Sequence, residues 1–122
     1  MKVNNFKDLV VWQKSMDLVT EVYKLIILLP KDEVYALSSQ MRRAAVSVPS
    51  NIAEGKQRST SKDYSRFLNI ARGSAAELET QLLICVRLGY LSENQIDSTL
   101  CLCDEIQKML NVLSEKIQSK DQ

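Results

Sequence analysis

The sequence predicts an all-α protein folded as an antiparallel up-down-up-down four-helix bundle. Three observations carry that expectation. Proline and glycine are scarce, at 2 and 3 of 122 residues, too few for the many turns of a strand-rich fold. Apolar residues recur at steps of three and four along most of the chain. The breaks in that period fall at Pro30, Gly55, Gly89 and Ser92, residue types that end or start helices. An apolar content of 45% and a charged content of 25% are ordinary for a globular chain, and the length suits one domain, 1–122.

The first helix is expected at about 8–29, with Asp8 near its start. Leu9, Trp12, Met16, Val19, Tyr23 and Ile26 form one apolar row, and Val11, Leu18, Val22, Leu25 and Leu29 form a second beside it. Two rows mean either a wide core-facing stripe or a helix covered on two sides, the second by another subunit. Pro30 closes the helix, and Asp32 is the expected N-cap of the next, at about 33–54. Its stripe is Val34, Leu37, Met41, Ala44 or Ala45, Val48 and Ile52. Pro49 lies inside it, where a missing N–H predicts a kink that Ser47 or Ser50 would ease. Gly55 suits the left-handed residue after a helix.

The third helix is expected at about 62–88, entered through Ser59, Thr60 and Ser61 with Asp63 in the first turn. Leu68, Ala71, Ala75, Leu78, Leu82 and Cys85 make a bundle seam, widened at its start by Tyr64 and Phe67. Gly73 sits mid-helix at a cost of about 1 kcal/mol against alanine, which points to a close helix approach. Gly89 ends this helix. Ser92 and Gln95 form a capping box for the fourth, at about 93–117, whose seam is Thr99, Cys103, Ile106, Leu110, Leu113 and Ile117. Residues 1–5 and 119–122 read as loose ends. The short connections make neighbouring helices antiparallel.

The chemistry is sparse. There is no histidine, so the commonest general base and the Glu-x-x-His pairs of di-metal bundles are missing. No phosphate-binding GxxxxGK[ST] loop occurs. Glu77 and Glu79 are two apart and point to different helix faces. Three cysteines, Cys85, Cys101 and Cys103, are an odd count that reads as reduced, core-facing or semi-buried thiols in a cytoplasmic protein. The longest apolar run, Leu25 to Leu29, falls far short of the ~20 residues that span a bilayer. No catalytic residue, metal or cofactor is expected.

Charge is the exception. The chain is nearly neutral, at +1. Between Arg42 and Arg72, however, Arg42, Arg43, Lys56, Arg58, Lys62, Arg66 and Arg72 face only Glu54 and Asp63. Arg42, Lys56, Arg58, Lys62 and Arg66 are the candidate nucleic-acid contacts, clustered about the turn between the second and third helices. The bland alternative is a solvated face, with Arg43 paired to Glu54 or Glu77.

The chain resembles the bacterial four-helix-bundle family first described as proteins encoded in intervening sequences of 23S ribosomal RNA genes. The residues that carry the resemblance are Phe6, Leu9, Val11 and Trp12, then Arg42, Arg43 and the run Ser47-Val48-Pro49-Ser50-Asn51-Ile52-Ala53-Glu54-Gly55. They continue in Arg58, Phe67, Ala71, Gly73, Ser74, Glu77, Leu78 and Leu88 to Leu91. Val48 stands where isoleucine is also typical. The resemblance implies a four-helix protomer, a homopentameric barrel, and kinship with accessory proteins of diversity-generating retroelements that bind a reverse transcriptase and nucleic acid. It carries over no catalytic residues. Pro49, Asn51, Glu54, Gly55, Gly73 and Glu77, with Ser74, are then structural residues that fix helix register or subunit contacts. The favoured expectation is a non-enzymatic, self-assembling scaffold. The alternative is an accessory protein that binds RNA, DNA or a nucleic-acid enzyme through its basic surface.

Overall fold

The computed structural model describes residues 5–119. These form four α-helices and two short 3-10 turns, with no strand among the described residues: α1 (Val10–Ile26), α2 (Leu37–Lys56), α3 (Ser61–Arg87) and α4 (Glu93–Ser119). Each helix packs on the next in sequence and α1 also packs on α4, so the four close around one apolar core. The all-α expectation and its four helices hold.

The apolar period explains the core. On α3 the whole expected seam, Leu68, Ala71, Ala75, Leu78, Leu82 and Cys85, is fully buried. On α4 Thr99, Cys103, Ile106, Leu110 and Ile117 are buried, while Leu113 is half-buried and Ser114 takes an inner place beside it. Met41, Ala44, Ala45, Val48 and Ile52 line the inner side of α2. Fully burying each large aliphatic side chain stabilises the fold by about 1.5–3 kcal/mol. The two rows of α1 separate: Val11, Leu18, Val22 and Leu25 enter the core, whereas Met16 and Tyr23 of the other row stay exposed.

Several boundaries differ from the sequence expectation. Asp8 lies in a 3-10 turn, Phe6–Asp8, which Asn5 caps by accepting the Lys7 N–H at 2.9 Å. α1 stops at Ile26 because the Leu28 and Leu29 N–H groups reach back only three residues, a tightening that leads into Pro30. Asp32 does not cap α2. It belongs to a second 3-10 turn, Lys31–Glu33, and α2 begins only at Leu37, which leaves Val34 outside the helix and exposed. The cap residue Ala36 offers no side-chain acceptor. Glu33 supplies one instead: its Oε1 accepts the Leu37 N–H at 3.4 Å and its Oε2 accepts the Tyr90 hydroxyl at 2.8 Å. One carboxylate therefore ties the start of α2 to the α3–α4 connection. The Tyr90 hydroxyl is raised above its ordinary pKa, chiefly by that bond. At the far end, α4 runs on through Ser119; residues 1–4 and 120–122 lie outside the described range.

The caps of α3 and α4 follow the sequence. Thr60 is the residue that caps α3, its hydroxyl accepting the Asp63 N–H at 3.1 Å. Ser92 and Gln95 form the expected reciprocal box, at 3.2 and 2.8 Å. Gly89 takes the left-handed conformation, with φ 77°.

Neither of the other two glycines takes the role expected of it. Gly55 is not a left-handed terminus. It is buried within α2, and a Cβ there would lie 2.9 Å from the Phe67 Cβ and 3.2 Å from the Tyr64 carbonyl oxygen. Gly55 thus marks a close approach of α2 and α3. Gly73, expected to mark a close approach, is exposed and a Cβ on it would meet nothing within 4 Å.

Candidate functional site

The basic turn is built on an aromatic base. α2 carries Glu54 and Lys56 in its last turn, Arg58 follows in the connection, and α3 opens with Lys62, Asp63, Tyr64, Arg66 and Phe67. Because Gly55 has no side chain, Phe67 can seat its Cβ against α2, and the residue is almost wholly buried. Two guanidinium groups lie against its ring, Arg58 with its carbon 4.5 Å from the centroid and Arg66 at 4.6 Å. The Lys56 ammonium stands 5.8 Å from the neighbouring Tyr64 ring. Cation–π attraction of this kind contributes roughly 0.5–1 kcal/mol at exposed sites. Burial raises the Tyr64 hydroxyl above its ordinary pKa.

Two carboxylates touch the arginines from the side. Arg58 pairs with Glu54 at 3.3 Å and Arg66 with Asp63 at 3.9 Å, all four side chains being well exposed. Such pairs contribute about 0–1 kcal/mol and exchange readily with other anions. Beside Arg66, an open groove of about 750 Å³ runs along α3, lined by Lys62, Ser65, Asn69, Ile70 and Gln118 among others. Its back wall is fixed by a hydroxyl pair, Ser65 to Ser114 at 2.5 Å, and by the Gln118 amide donating to Ser65 at 2.9 Å.

The structure thus brings Lys56, Arg58, Lys62 and Arg66 together and separates Arg42 from them. Arg42 donates from Nη2 to the Val34 carbonyl at 3.1 Å, near the start of α2. It stands well back along α2 from Lys56, roughly 21 Å at 1.5 Å per residue. Arg43 makes no ion pair among the described residues, since Glu54 is taken by Arg58 and Glu77 accepts from Gln81 at 3.5 Å. What the sequence reading missed is the part played by Phe67, which it treated only as core. The signal was a ring flanked in sequence by Arg66 and reached by Arg58 across the turn.

The SVPSNIAEG run reads as architecture. Ser47 and Ser74 share a hydroxyl–hydroxyl bond at 2.8 Å across α2 and α3. Asn51 donates to the Ser47 carbonyl at 2.8 Å and to its hydroxyl at 2.9 Å, so Ser47 is engaged by Asn51 and Ser74 and not by the carbonyl that Pro49 frees. α2 runs through the buried Pro49 as one helix. This polar cluster fixes how far α2 slides along α3, because any shift leaves half-buried hydroxyls unpaired.

The thiols do not form a reactive centre. Cys85 and Cys103 are buried; Cys101 is exposed, where a core-facing or semi-buried thiol is expected. Burial, then the Glu33 carboxylate, pushes the Cys85 thiol up, and burial with Glu79 and Glu21 pushes Cys103 up to about 12. Among the described residues no cluster of three or more Cys, Asp or Glu could hold a metal, and no helix is long and apolar enough to cross a membrane.

A second feature lies on the opposite flank of α2. Phe6, Trp12, Met16 and Val19 face Val46, Pro49 and Ala53 across an open groove of about 390 Å³. A neighbouring groove of about 480 Å³ carries Val19, Tyr23, Ile26 and Ile27 toward Arg42. Phe6 and Trp12 meet edge-on, with ring centres 5.3 Å apart.

Fold and surface together define a class: an all-helical, four-helix protein with a polar register lock, a basic turn and an apolar flank. The family described as 23S rRNA-intervening sequence protein matches residues 7–112, and the chain belongs to that family. A crystal structure from Bacteroides thetaiotaomicron, a protein of unknown function from the S23 ribosomal protein family, is 29% identical to it. The two superpose with a TM-score of 0.80 over 86% of this chain and 98% of that one. No curated protein matches the chain.

Proposed function

We propose that the protein is a non-enzymatic scaffold, an antiparallel up-down-up-down bundle that assembles with copies of itself into a homopentamer in the cytoplasm. The observation that carries this reading is the apolar flank shared by α1 and α2. Met16, Tyr23 and Val46 are each about two-fifths exposed along it, and Ile27 is 80% exposed at its end. A contiguous apolar face of this kind, rimmed by polar residues, marks an interaction surface. The antiparallel arrangement is supported by the cross-helix pairs: Lys14 meets Glu105 and Glu21 meets Thr99, so the partner number falls as α1 advances. A five-membered ring joins two different surfaces of each protomer, so the apolar flank would dock on a second face of the next copy. Absence of histidine from the sequence supports a non-enzymatic role.

Light scattering tests this directly. The expected mass is five times the 13.9 kDa protomer, and Met16→Asp with Val46→Asp should reduce it to one. A monomeric mass for the unaltered protein at micromolar concentration would overturn the scaffold reading.

A second reading has its own observation. Lys56, Arg58, Lys62 and Arg66 converge at the α2–α3 turn, with two guanidinium groups held on one ring. This supports binding of nucleic acid, or of a nucleoprotein such as a reverse transcriptase with its RNA, and assembly would multiply the contacts. Titration of labelled RNA and DNA at several salt concentrations should give a steep salt dependence that Arg58→Glu with Lys62→Glu removes. Absence of binding at low salt excludes this reading.

A further inference from the structure

We infer that Arg58 and Arg66 form a preorganised phosphate clamp, set by Phe67 and Gly55, and that the groove beside it receives an unpaired base of a single nucleic-acid strand. This rests on the nucleic-acid reading above and specifies its site and its ligand.

Guanidinium carbons 4.5 and 4.6 Å from the same ring centre lie no more than about 9 Å apart, a span that one phosphate or two successive ones can bridge. Attraction to the ring holds each guanidinium over Phe67, and the N–H edges of such a group bind phosphate oxygens in pairs. A long side chain usually loses rotamer freedom on binding; here contact with the ring has already removed part of it. The carboxylates of Glu54 and Asp63 occupy some of those edges at 3.3 and 3.9 Å. They hold the clamp open in the absence of ligand and compete with an incoming phosphate.

The chain of cause starts at Gly55. A side chain there would collide with the Phe67 Cβ at 2.9 Å, moving the ring and both arginines with it. Gly55 and Phe67 are positioning residues; Arg58 and Arg66 touch the ligand. The groove continues from Arg66 and Asp63 along α3 and presents Lys62, the Asn69 amide, the apolar Ile70 and Gln118, whose amide N–H is given to Ser65 and whose carbonyl oxygen is left to accept. Amides suit base edges and Ile70 suits a base face, while Lys62 follows the backbone. Bases paired inside a duplex cannot enter.

The experiment is a binding titration by fluorescence anisotropy with the full chain, using a labelled single-stranded RNA, the same sequence as DNA, and its duplex. Arg58→Lys with Arg66→Lys keeps the charge and removes the forked edges. Affinity for the single strand should fall about tenfold with the salt slope unchanged. Phe67→Leu should lose a similar factor and Phe67→Tyr should restore it, with thermal unfolding confirming that each variant is folded. Glu54→Gln should tighten binding. If the lysine pair binds as well as the arginine pair, the clamp is wrong while nucleic-acid binding stands. If the duplex binds as tightly as the single strand, the groove assignment is wrong. If no nucleic acid binds at low salt, the underlying reading fails with both.

Discussion

α2 meets its two neighbours in different ways. Toward α3 it presents Ser47, which bonds Ser74, and Gly55, which lies against the Phe67 Cβ. The side chains are short, so the helices approach until a glycine Cβ would collide. Toward α1 it presents Val46, Pro49 and Ala53 against Trp12, Met16 and Val19, and the larger side chains leave an open groove. The first seam is specified by shape and by a hydroxyl pair. The second is specified by hydrophobicity and is only half used within the protomer. A bundle built this way has one rigid hairpin and one adaptable flank, and it is the flank that has surface left for another molecule.

This contrast can be broken in order of effect. Leu68, wholly buried at the α3 seam, should cost about 2–5 kcal/mol when cut to alanine, read by urea unfolding. Met16→Ala on the open flank should cost under about 0.5 kcal/mol in the protomer. If the two variants unfold alike, the flank is as tightly packed as the seam and the contrast is wrong. Gly55→Ala comes next. Overpacking costs about 1–3 kcal/mol and a better helix former returns up to about 1, leaving a net loss in denaturant midpoint. Gly73→Ala should do the reverse, stabilising by up to about 1 kcal/mol, because its Cβ meets nothing. A loss at Gly73 on dissociated protomer would show an unseen contact, whereas a loss confined to the assembled form would locate a subunit interface there.

The smallest effect at neutral pH is that of the buried thiols. The Cys103 pKa is raised from its ordinary 9.0 to about 12. Its contribution to stability is therefore complete below pH 9 and is lost as pH rises toward 12. Melting temperatures should be flat from pH 7 to 9 on account of this group and fall above it, and Cys103→Val should flatten part of that fall. Cys101, exposed, should react with a maleimide in the folded protein while Cys85 and Cys103 wait for unfolding.

What could be read from the sequence follows from what is local. The α3 seam from Leu68 to Cys85 was legible to the residue, because a helix buried along one face must repeat every three or four positions. The Ser92–Gln95 box and Gly89 were legible because a cap involves only neighbours. The start of α2 was not: Asp32 has the right chemistry, but the acceptor used is Glu33, which is also held by Tyr90 from a distant connection. The glycines were misassigned for the same reason. Whether a missing side chain makes room or leaves a gap depends on the helix opposite, and Phe67 lies across the turn from Gly55. The α1 rows announced two apolar faces without saying which was inner. The basic cluster was legible in composition, but Arg42 belongs near the other end of α2, and the shared ring beneath Arg58 and Arg66 is a tertiary fact.

The ring of helix neighbours also has a temporal meaning. Three of its four contacts join helices adjacent in sequence; the fourth joins the first to the last, through Lys14 with Glu105 and Glu21 with Ser98 and Thr99. During synthesis the buried row of α1 therefore has half of its cover from α2 and must wait for α4 to receive the rest. The α2–α3 hairpin, with its short connection and its hydroxyl lock, can form in the interval and serve as the template. α1 would be the last helix to acquire protection in pulsed hydrogen exchange although it is the first made, and until α4 arrives its apolar residues are open to whatever else is near the ribosome exit.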